Sequence, residues 1–337
     1  MVIVMQPGAP KADIDAVIAK VEELGFTPHP IFGVEKTVVA VIGEGAYDAA
    51  DMFESLPSVD RAVPIGQPYK LAGSDVKPEK TVVTVGDVPI GGESLVVIAG
   101  PCAIESREQF LETAKLVKSH GVRIVRGSAF KPRTSPHDFQ GLGLKGLELL
   151  KEVKEELGLY LVNEIMEPGQ LDAMVGVVDM LQIGARNMQN FALLSAVGKS
   201  GLPVLLKRGI ASTIDDFLKA AEYIMVTGNH NVVLCERGIR TFETATRFTL
   251  DLSMVPVVRR LSHLPILVDP SHAAGQHDYV PPLAKAAVAV GADGLFVETH
   301  FRPDQALCDG PQALSPTEFA ELMEALPAFA EAAGRTI

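Results

Sequence analysis

Residues able to ligate a divalent metal end or follow three short apolar runs of this sequence. Cys102 comes after the run Leu95 to Ala99, and His272 lies in Val268-Asp269-Pro270-Ser271-His272. Glu298 ends a run in Phe296-Val297-Glu298-Thr299-His300, and Asp309 follows in the loop beyond. A thiolate, an imidazole and two carboxylates form a donor set of intermediate softness. It suits manganese, iron, cobalt, zinc or cadmium better than calcium or magnesium. Each member alone has a blander reading, since a lone cysteine is more often a small buried hydrophobe and a lone histidine a satisfied polar residue. Cys235 and Cys308 keep that blander reading, as inner-strand and loop residues. His300, two residues after Glu298, is a second candidate ligand.

A second set of residues is cationic. Arg126, Lys131, Arg186, Lys207 and Arg237 sit at or near the ends of apolar runs in four different segments. One such residue ordinarily solvates a rim, but five brought together would repel one another unless an anion lay between them. Phosphate and carboxylate are the natural anions, with Arg offering a bidentate fork and Lys a point charge. The segment Phe130-Lys131-Pro132-Arg133-Thr134-Ser135-Pro136 places two cations and two hydroxyls on a proline-stiffened loop, a pattern suited to one phosphoryl group. Glu164 and Asp269 add carboxylates at the ends of two further runs.

The elements that must position these groups repeat one theme: a short β-branched apolar run, a polar tip, then an amphipathic helical stretch. The eight runs are Leu95 to Ala99, Arg123 to Arg126, Leu159 to Asn163, Met180 to Ile183, Pro203 to Lys207, Val232 to Glu236, Ile266 to Asp269 and Gly294 to Glu298. Strands apolar on both faces and alternating with helices mean a covered parallel sheet. Eight of them favour a (β/α)8 TIM barrel, whose active site lies at the carboxyl ends of the strands. Ahead of them, strand Val2 to Met5, helix Lys11 to Leu24, strands Pro28 to Phe32 and Thr37 to Ile42, helix Ala46 to Leu56 and strand Val59 to Ile65 spell a small ferredoxin-like βαββαβ domain. The expected division is a domain at 1–66, a linker at 67–80 and the barrel at 81–337, which opens on a hairpin around Gly86-Asp87.

Composition narrows the function. A chain of 337 residues with 47% hydrophobic and 21% charged residues has the balance of a globular protein, and no apolar run reaches the length of a spanning helix. The net charge of −12 argues against nucleic acid or an anionic membrane as partner. Three cysteines in a chain of this size suggest a reducing compartment, and the N-terminus does not read as a secretory signal, so cytoplasmic residence is expected. One decoy is the G-x-G-x-x-G at Gly141-Leu142-Gly143-Leu144-Lys145-Gly146. It fails as a dinucleotide fingerprint because residues 131–140 separate it from the preceding run.

Six segments occur in an order that resembles a known family: Gly100-Pro101-Cys102-Ala103-Ile104-Glu105-Ser106, Lys131-Pro132-Arg133-Thr134-Ser135, Gln182-Ile183-Gly184-Ala185-Arg186, Leu206-Lys207-Arg208-Gly209, Cys235-Glu236-Arg237-Gly238 and Asp269-Pro270-Ser271-His272. The family is the 3-deoxy-D-arabino-heptulosonate 7-phosphate (DAHP) synthases, in the type I beta branch that carries an N-terminal ferredoxin-like, ACT-like regulatory domain. The resemblance implies that phosphoenolpyruvate condenses with erythrose 4-phosphate, the first step of the shikimate pathway. It also implies an essential divalent metal on Cys102, His272, Glu298 and Asp309, with His300 outside that set. By the same resemblance Arg126 and Lys131 hold the phosphoenolpyruvate carboxylate, and Arg186, Lys207, Arg237 and the Ala185 amide hold its phosphate. Arg133, Thr134 and Ser135 take the sugar phosphate. Glu164 and Lys207 are expected to position the attacking water, and Asp269 to assist proton transfer. A homotetramer is also implied.

The sister 3-deoxy-manno-octulosonate 8-phosphate synthases use arabinose 5-phosphate on a similar barrel, but typically carry Lys-Ala-Asn-Arg-Ser where this chain has Lys131-Pro132-Arg133-Thr134-Ser135. A reading of another class makes the chain an amino-acid sensor with an inactive barrel. Sensing is compatible with catalysis: a βαββαβ domain with one open sheet face pairs readily with a copy, and tyrosine or phenylalanine between paired domains, with His29 as a candidate contact, would inhibit by closing them over the barrel mouth.

Overall fold

The structure of the protein, a computed structural model, describes residues 1–33, 36–43, 46–63, 69–133 and 135–337, with Tyr47 and Asp48 described in backbone only. The chain divides into two compact units, Met1–Pro68 and Tyr69–Ile337. In the first, β1 (Val2–Met5), β2 (Thr27–Phe32), β3 (Thr37–Ile42) and β4 (Val59–Val63) form a sheet of order β2-β3-β1-β4. The helix α1 (Lys11–Glu23) has the spacing of an amphipathic element, with Ile14, Val17 and Val21 buried with Ile3, Met5, Val39 and Val41 of the sheet. The segment 46–56, expected as one helix, is a 3-10 turn Ala46–Ala49 followed by a short α2 (Ala50–Glu54). No side chain caps α2, so nothing in the sequence extends it by satisfying its first amides. The other sheet face stays partly open: Val2 and Val38 are only half-buried, and His29, opposite Ala40, is exposed. The last expected residue of β4, Ile65, lies outside the described residues.

In the second unit a hairpin, β5 (Val83–Val85) and β6 (Val88–Ile90), precedes eight parallel strands: β7 (Val96–Gly100), β8 (Ile124–Arg126), β9 (Tyr160–Ile165), β10 (Met180–Ile183), β11 (Val204–Lys207), β12 (Val232–Glu236), β13 (Ile266–Val268) and β14 (Gly294–Glu298). They close into a barrel in which β14 pairs with β7 and β9 with β10. The helices α3 (Arg107–Ser119), α4 (Leu144–Leu157), α5 (Leu171–Met174), α6 (Phe191–Lys199), α7 (Ile214–Met225), α8 (Met254–Leu261), α9 (Pro270–Ala274), α10 (Val280–Ala289) and α11 (Pro316–Ala332) alternate with the strands. Residues 69–80, expected within the linker, are held against the barrel. The amides of Lys70, Leu71 and Ala72 donate to the Glu222 carboxylate, and that of Ser74 to the Leu261 carbonyl at 2.9 Å.

Because side chains alternate along a strand, each barrel strand has one inward series. Its lower members are apolar: Val96, Ile98, Ile124, Val162, Met180, Leu205, Val233, Cys235, Leu267 and Phe296 pack with Val83, Val85, Val88 and Ile90 of the hairpin. Burying each large apolar side chain contributes roughly 1.5–3 kcal/mol, which makes this a solid floor. Two residues further along, the series turns polar, and Arg126, Glu164, Gln182, Lys207, Arg237, Asp269 and Glu298 are all buried. The period of two therefore delivers the chemistry to one layer at the carboxyl ends of the strands.

Candidate active site

Phe296 marks the boundary between floor and polar layer. The Arg126 guanidinium carbon and the Lys207 Nζ lie 4.7 and 4.2 Å from its ring centroid, so its face supports two cations. Each also meets a carboxylate. Arg126 Nη1 donates to Glu298 Oε1 at 2.6 Å, and Lys207 Nζ pairs with Asp269 Oδ2.

Asp269 organises the turn after β13. Its Oδ1 accepts from the His272 amide at 2.9 Å, capping α9, and its Oδ2 accepts from His272 Nδ1 at 2.7 Å. That leaves His272 Nε2 facing Glu298 Oε1 at 3.4 Å. Burial pulls the imidazole's pKa below its ordinary value, favouring the neutral ring that a metal ligand needs. Burial works against ionising Asp269, yet His272 and Lys207 outweigh it and hold the carboxyl well below the usual range.

Cys102, His272, Glu298 and Asp309 converge, each offering a donor atom within 4.8 Å of the others. Two bonds to a common ion span about 4.0–4.6 Å at most, so small adjustments suffice for coordination. The donor set fits a borderline-soft divalent ion, and the Asp269–His272 hydrogen bond is the kind of support that fixes a ligating imidazole. The Cys102 thiol donates to Asp309 Oδ2 at 3.0 Å. Its hydrogen bond with Cys308, burial and the charge of Glu298 push its pKa well up, so a metal would have to displace this proton. Burial opposes ionisation of Asp309, but His272 and the Cys102 hydrogen bond keep its pKa low. His300 stands apart from the cluster: its Nδ1 accepts from the Arg302 amide at 2.9 Å and its Nε2 lies 3.6 Å from Glu105.

A cavity of about 130 Å³ opens above this layer, lined by Lys131, Arg133, Glu164, Ala185, Arg186, Lys207, Arg237, His272 and Asp309 among others. Lys131 Nζ donates to Cys102 Sγ at 2.9 Å and to the Cys102 carbonyl at 3.2 Å. Burial lowers its pKa, but Cys102 and Glu164 more than compensate and keep it cationic. Gly184 makes room for Glu164, since a Cβ there would stand 2.0 Å from Glu164 Oε1. Arg126 does not line the cavity; it lies beneath, on Glu298. Ser135 does not line it either, and its hydroxyl accepts from the His137 amide at 3.3 Å. Thr134 lies outside the described residues. The Gly141–Gly146 segment is structural: at Gly141, with φ +90°, a Cβ would stand 2.2 Å from the Ala129 carbonyl oxygen.

Sequence reasoning missed three participants. Cys308, read as a loop residue, has its sulfur 3.5 Å from that of Cys102 and accepts from Arg133 Nη1 at 2.7 Å. Its signal was adjacency to Asp309. Gln312 is buried; its amide donates to Glu298 Oε2 while its oxygen accepts from Arg247 Nη1 at 2.8 Å. Arg247 also lies 3.6 Å from Asp309 Oδ1, so the pair links both candidate ligand carboxylates. Neither follows directly on a strand, and neither carries a motif.

The model of the DAHP synthetase I family matches residues 75–332, and that of the DAHP synthase ferredoxin-like domain matches residues 1–67. A phospho-2-dehydro-3-deoxyheptonate aldolase of Thermotoga maritima is 49% identical over 334 residues, covering 99% of each chain. The crystal structure of a Thermotoga maritima DAHP synthase superimposes with a TM-score of 0.95 at 49% identity, over 99% of this chain and 98% of that one. A 2-dehydro-3-deoxyphosphooctonate aldolase of Desulfosudis oleivorans is 33% identical, over 74% of this chain and 96% of its own. With family matches across both units and this similarity along its whole length, the chain belongs to the DAHP synthetase I family and performs that family's reaction, the first step of the shikimate pathway.

Proposed function

We propose that the barrel mouth condenses phosphoenolpyruvate, water and erythrose 4-phosphate with a divalent ion held by Cys102, His272, Glu298 and Asp309. The observation that carries this reading is that the four candidate ligands converge, and that two of them, His272 and Asp309, line one cavity together with Lys131, Arg186, Lys207 and Arg237. An ion of the manganese, iron, cobalt, zinc or cadmium class would supply Lewis acidity at the aldehyde oxygen.

The chain's own residues supply the rest. Arg186, Lys207, Arg237 and the Ala185 amide bind the phosphate of phosphoenolpyruvate, while Lys131 takes its carboxylate and Arg126 adds charge from beneath. Arg133, with Thr134 and Ser135 of the same loop, receives the sugar phosphate. Two anions held side by side no longer repel one another freely, and carbon-3 is kept within reach of the aldehyde. As that bond forms, carbon-2 becomes cationic, water adds to it, and the phosphohemiketal breaks its carbon–oxygen bond to release phosphate. Glu164 and Lys207 position that water. Asp269, held ionised, pairs with Lys207 Nζ, keeps His272 Nδ1–H in place and assists proton transfer. Unchanged turnover in Glu164→Gln would remove Glu164 from this role.

The N-terminal unit is read as regulatory: tyrosine or phenylalanine binds between paired copies, near His29, within a homotetramer. Deleting residues 1–66 should preserve turnover and abolish inhibition; inhibition that survived the deletion would reject the reading. The deciding experiment for the whole proposal is phosphoenolpyruvate consumption by metal-reconstituted protein with erythrose 4-phosphate and arabinose 5-phosphate side by side. Faster consumption with erythrose 4-phosphate is expected, and preference for arabinose 5-phosphate would overturn the choice of sugar.

A further inference from the structure

Arg186, Arg237 and Arg247, with Ala185, line two cavities at once: the inner one of about 130 Å³ and an adjoining one of about 480 Å³. The adjoining cavity adds Arg240 and Ser212, so four guanidinium groups surround it, and no carboxylate is among its lining residues. In a chain of net charge −12 that is an unusual wall. Arg208, nearby in sequence, shows the ordinary solution, with Nη1 shared between Glu236 and Asp251 at 3.1 and 2.9 Å. Arg186 and Arg240, by contrast, have no side-chain hydrogen bond or ion pair among the described residues. Arg237 is 6% exposed, and its buried Nη1 has no hydrogen-bond partner there either. The face of Phe248, 4.4 Å from its guanidinium carbon, supports its charge without forming a hydrogen bond.

A buried guanidinium with an unmet donor, beside three others of like charge, calls for an anion. One phosphate in the inner cavity would account for Arg186 and Arg237; Arg240, exposed and lining only the adjoining cavity, adds a solvent-facing cation with no carboxylate beside it. The adjoining cavity, of about 480 Å³, has room for a phosphate.

We propose that the adjoining cavity is a second anion subsite that receives inorganic phosphate after carbon–oxygen cleavage. The phosphate crosses the shared Arg186 and Arg237 and is held by Arg240 and the Ser212 hydroxyl, clearing the inner subsite while the carbon product still fills the mouth. The proposal rests on the reading that Arg186, Lys207 and Arg237 hold the phosphate of phosphoenolpyruvate.

The test is equilibrium dialysis of radiolabelled inorganic phosphate against the full-length, metal-loaded protein saturated with phosphoenolpyruvate, without aldehyde. Besides any phosphate that the vacant sugar-phosphate loop at Arg133 takes, one phosphate per chain should bind alongside phosphoenolpyruvate. Arg240→Gln should weaken it about tenfold, the worth of one charge-assisted hydrogen bond, with the KM for phosphoenolpyruvate unchanged; Arg240→Lys should restore most of it. In steady state at saturating erythrose 4-phosphate, phosphate inhibition that is not relieved by phosphoenolpyruvate should become purely competitive in Arg240→Gln. Complete displacement of phosphate by phosphoenolpyruvate, or wild-type binding by Arg240→Gln, overturns the subsite. A parallel measurement of phosphoenolpyruvate affinity in Arg237→Gln separates the two ideas. Undiminished affinity there would overturn the inner-site reading and the proposal resting on it, whereas weakened affinity with phosphate still held by Arg240→Gln would overturn the second subsite alone.

Discussion

Two sides of the barrel mouth handle charge in opposite ways. At the ligand corner, Arg126 and Lys207 end on the buried carboxylates of Glu298 and Asp269, His272 is held by Asp269, and Gln312 closes the remaining oxygen of Glu298. Along the arginine wall, Arg186, Arg237 and Arg240 meet no carboxylate among the described residues. The corner is already hydrogen-bonded and would exchange a thiol proton for a metal, so its partners set geometry. The wall keeps one buried unmet donor, on Arg237, whose cost falls when an anion arrives, so its occupant sets its energy. A site holding a cation and several anions a few ångströms apart would gain from keeping the two arrangements distinct.

The largest expected effect breaks the corner. His272→Ala removes the ligand that Asp269 aligns, and several kcal/mol of transition-state stabilisation go with the ion, on the order of a 10³-fold loss of turnover. Metal content after gel filtration should fall in parallel; full metal retention with normal turnover would show that His272 is no ligand. On the wall, Arg237→Gln should raise the half-saturating phosphoenolpyruvate concentration by about 10- to 100-fold, the value of a hydrogen bond between charged groups. The same change at the exposed Arg186 should cost less, because water screens it. Equal effects at the two positions would mean burial does not sharpen the wall.

This contrast was partly legible in the sequence and partly not. The eight apolar runs were readable because β7 to β14 bury both faces, and their polar ends gave away Arg126, Glu164, Lys207, Asp269 and Glu298 through the inward period of two. Asp309 was harder, since it sits in a loop with a left-handed backbone, φ +53°, that no periodicity announces. Gln312 and Arg247 could not be read at all. Their meeting depends on loops after β14 and β12 converging once the barrel closes, and a glutamine carries no charge signal. The whole arginine wall was only half visible, because Arg240 follows Arg237 past the strand end and gains meaning only from the cavity beside it.

Gln312 gives the intermediate test of the corner. Gln312→Leu should retain the fold yet free Glu298 Oε2 and Arg247 together, lowering metal affinity about tenfold, at the low end of what supporting partners contribute. Titration with a metal indicator would show it, and an unchanged affinity would make Gln312 a packing residue only.

The smallest effect comes from a polar cluster that has no ligand to await. His263 Nδ1 pairs with the Thr81 hydroxyl at 2.8 Å and Nε2 with the Leu71 carbonyl at 2.6 Å, tying residues 69–81 to the barrel. Burial pulls its pKa below the ordinary 6.5 despite that carbonyl. A folded-state pKa lower than the unfolded one means the unfolded chain binds the proton more readily. The histidine's stabilisation is therefore complete above about pH 6.5 and is lost as pH falls through the folded-state value. His263→Gln should lower the apparent Tm at pH 7.5, and the gap from wild type should narrow at pH 5 by about 2 °C, since about 1 kcal/mol shifts a domain of this size by only a few degrees. Phosphoenolpyruvate affinity should not move. If the gap instead holds constant or widens in acid, His263 is not the neutral, fully satisfied group that distinguishes this cluster from the two sides of the mouth.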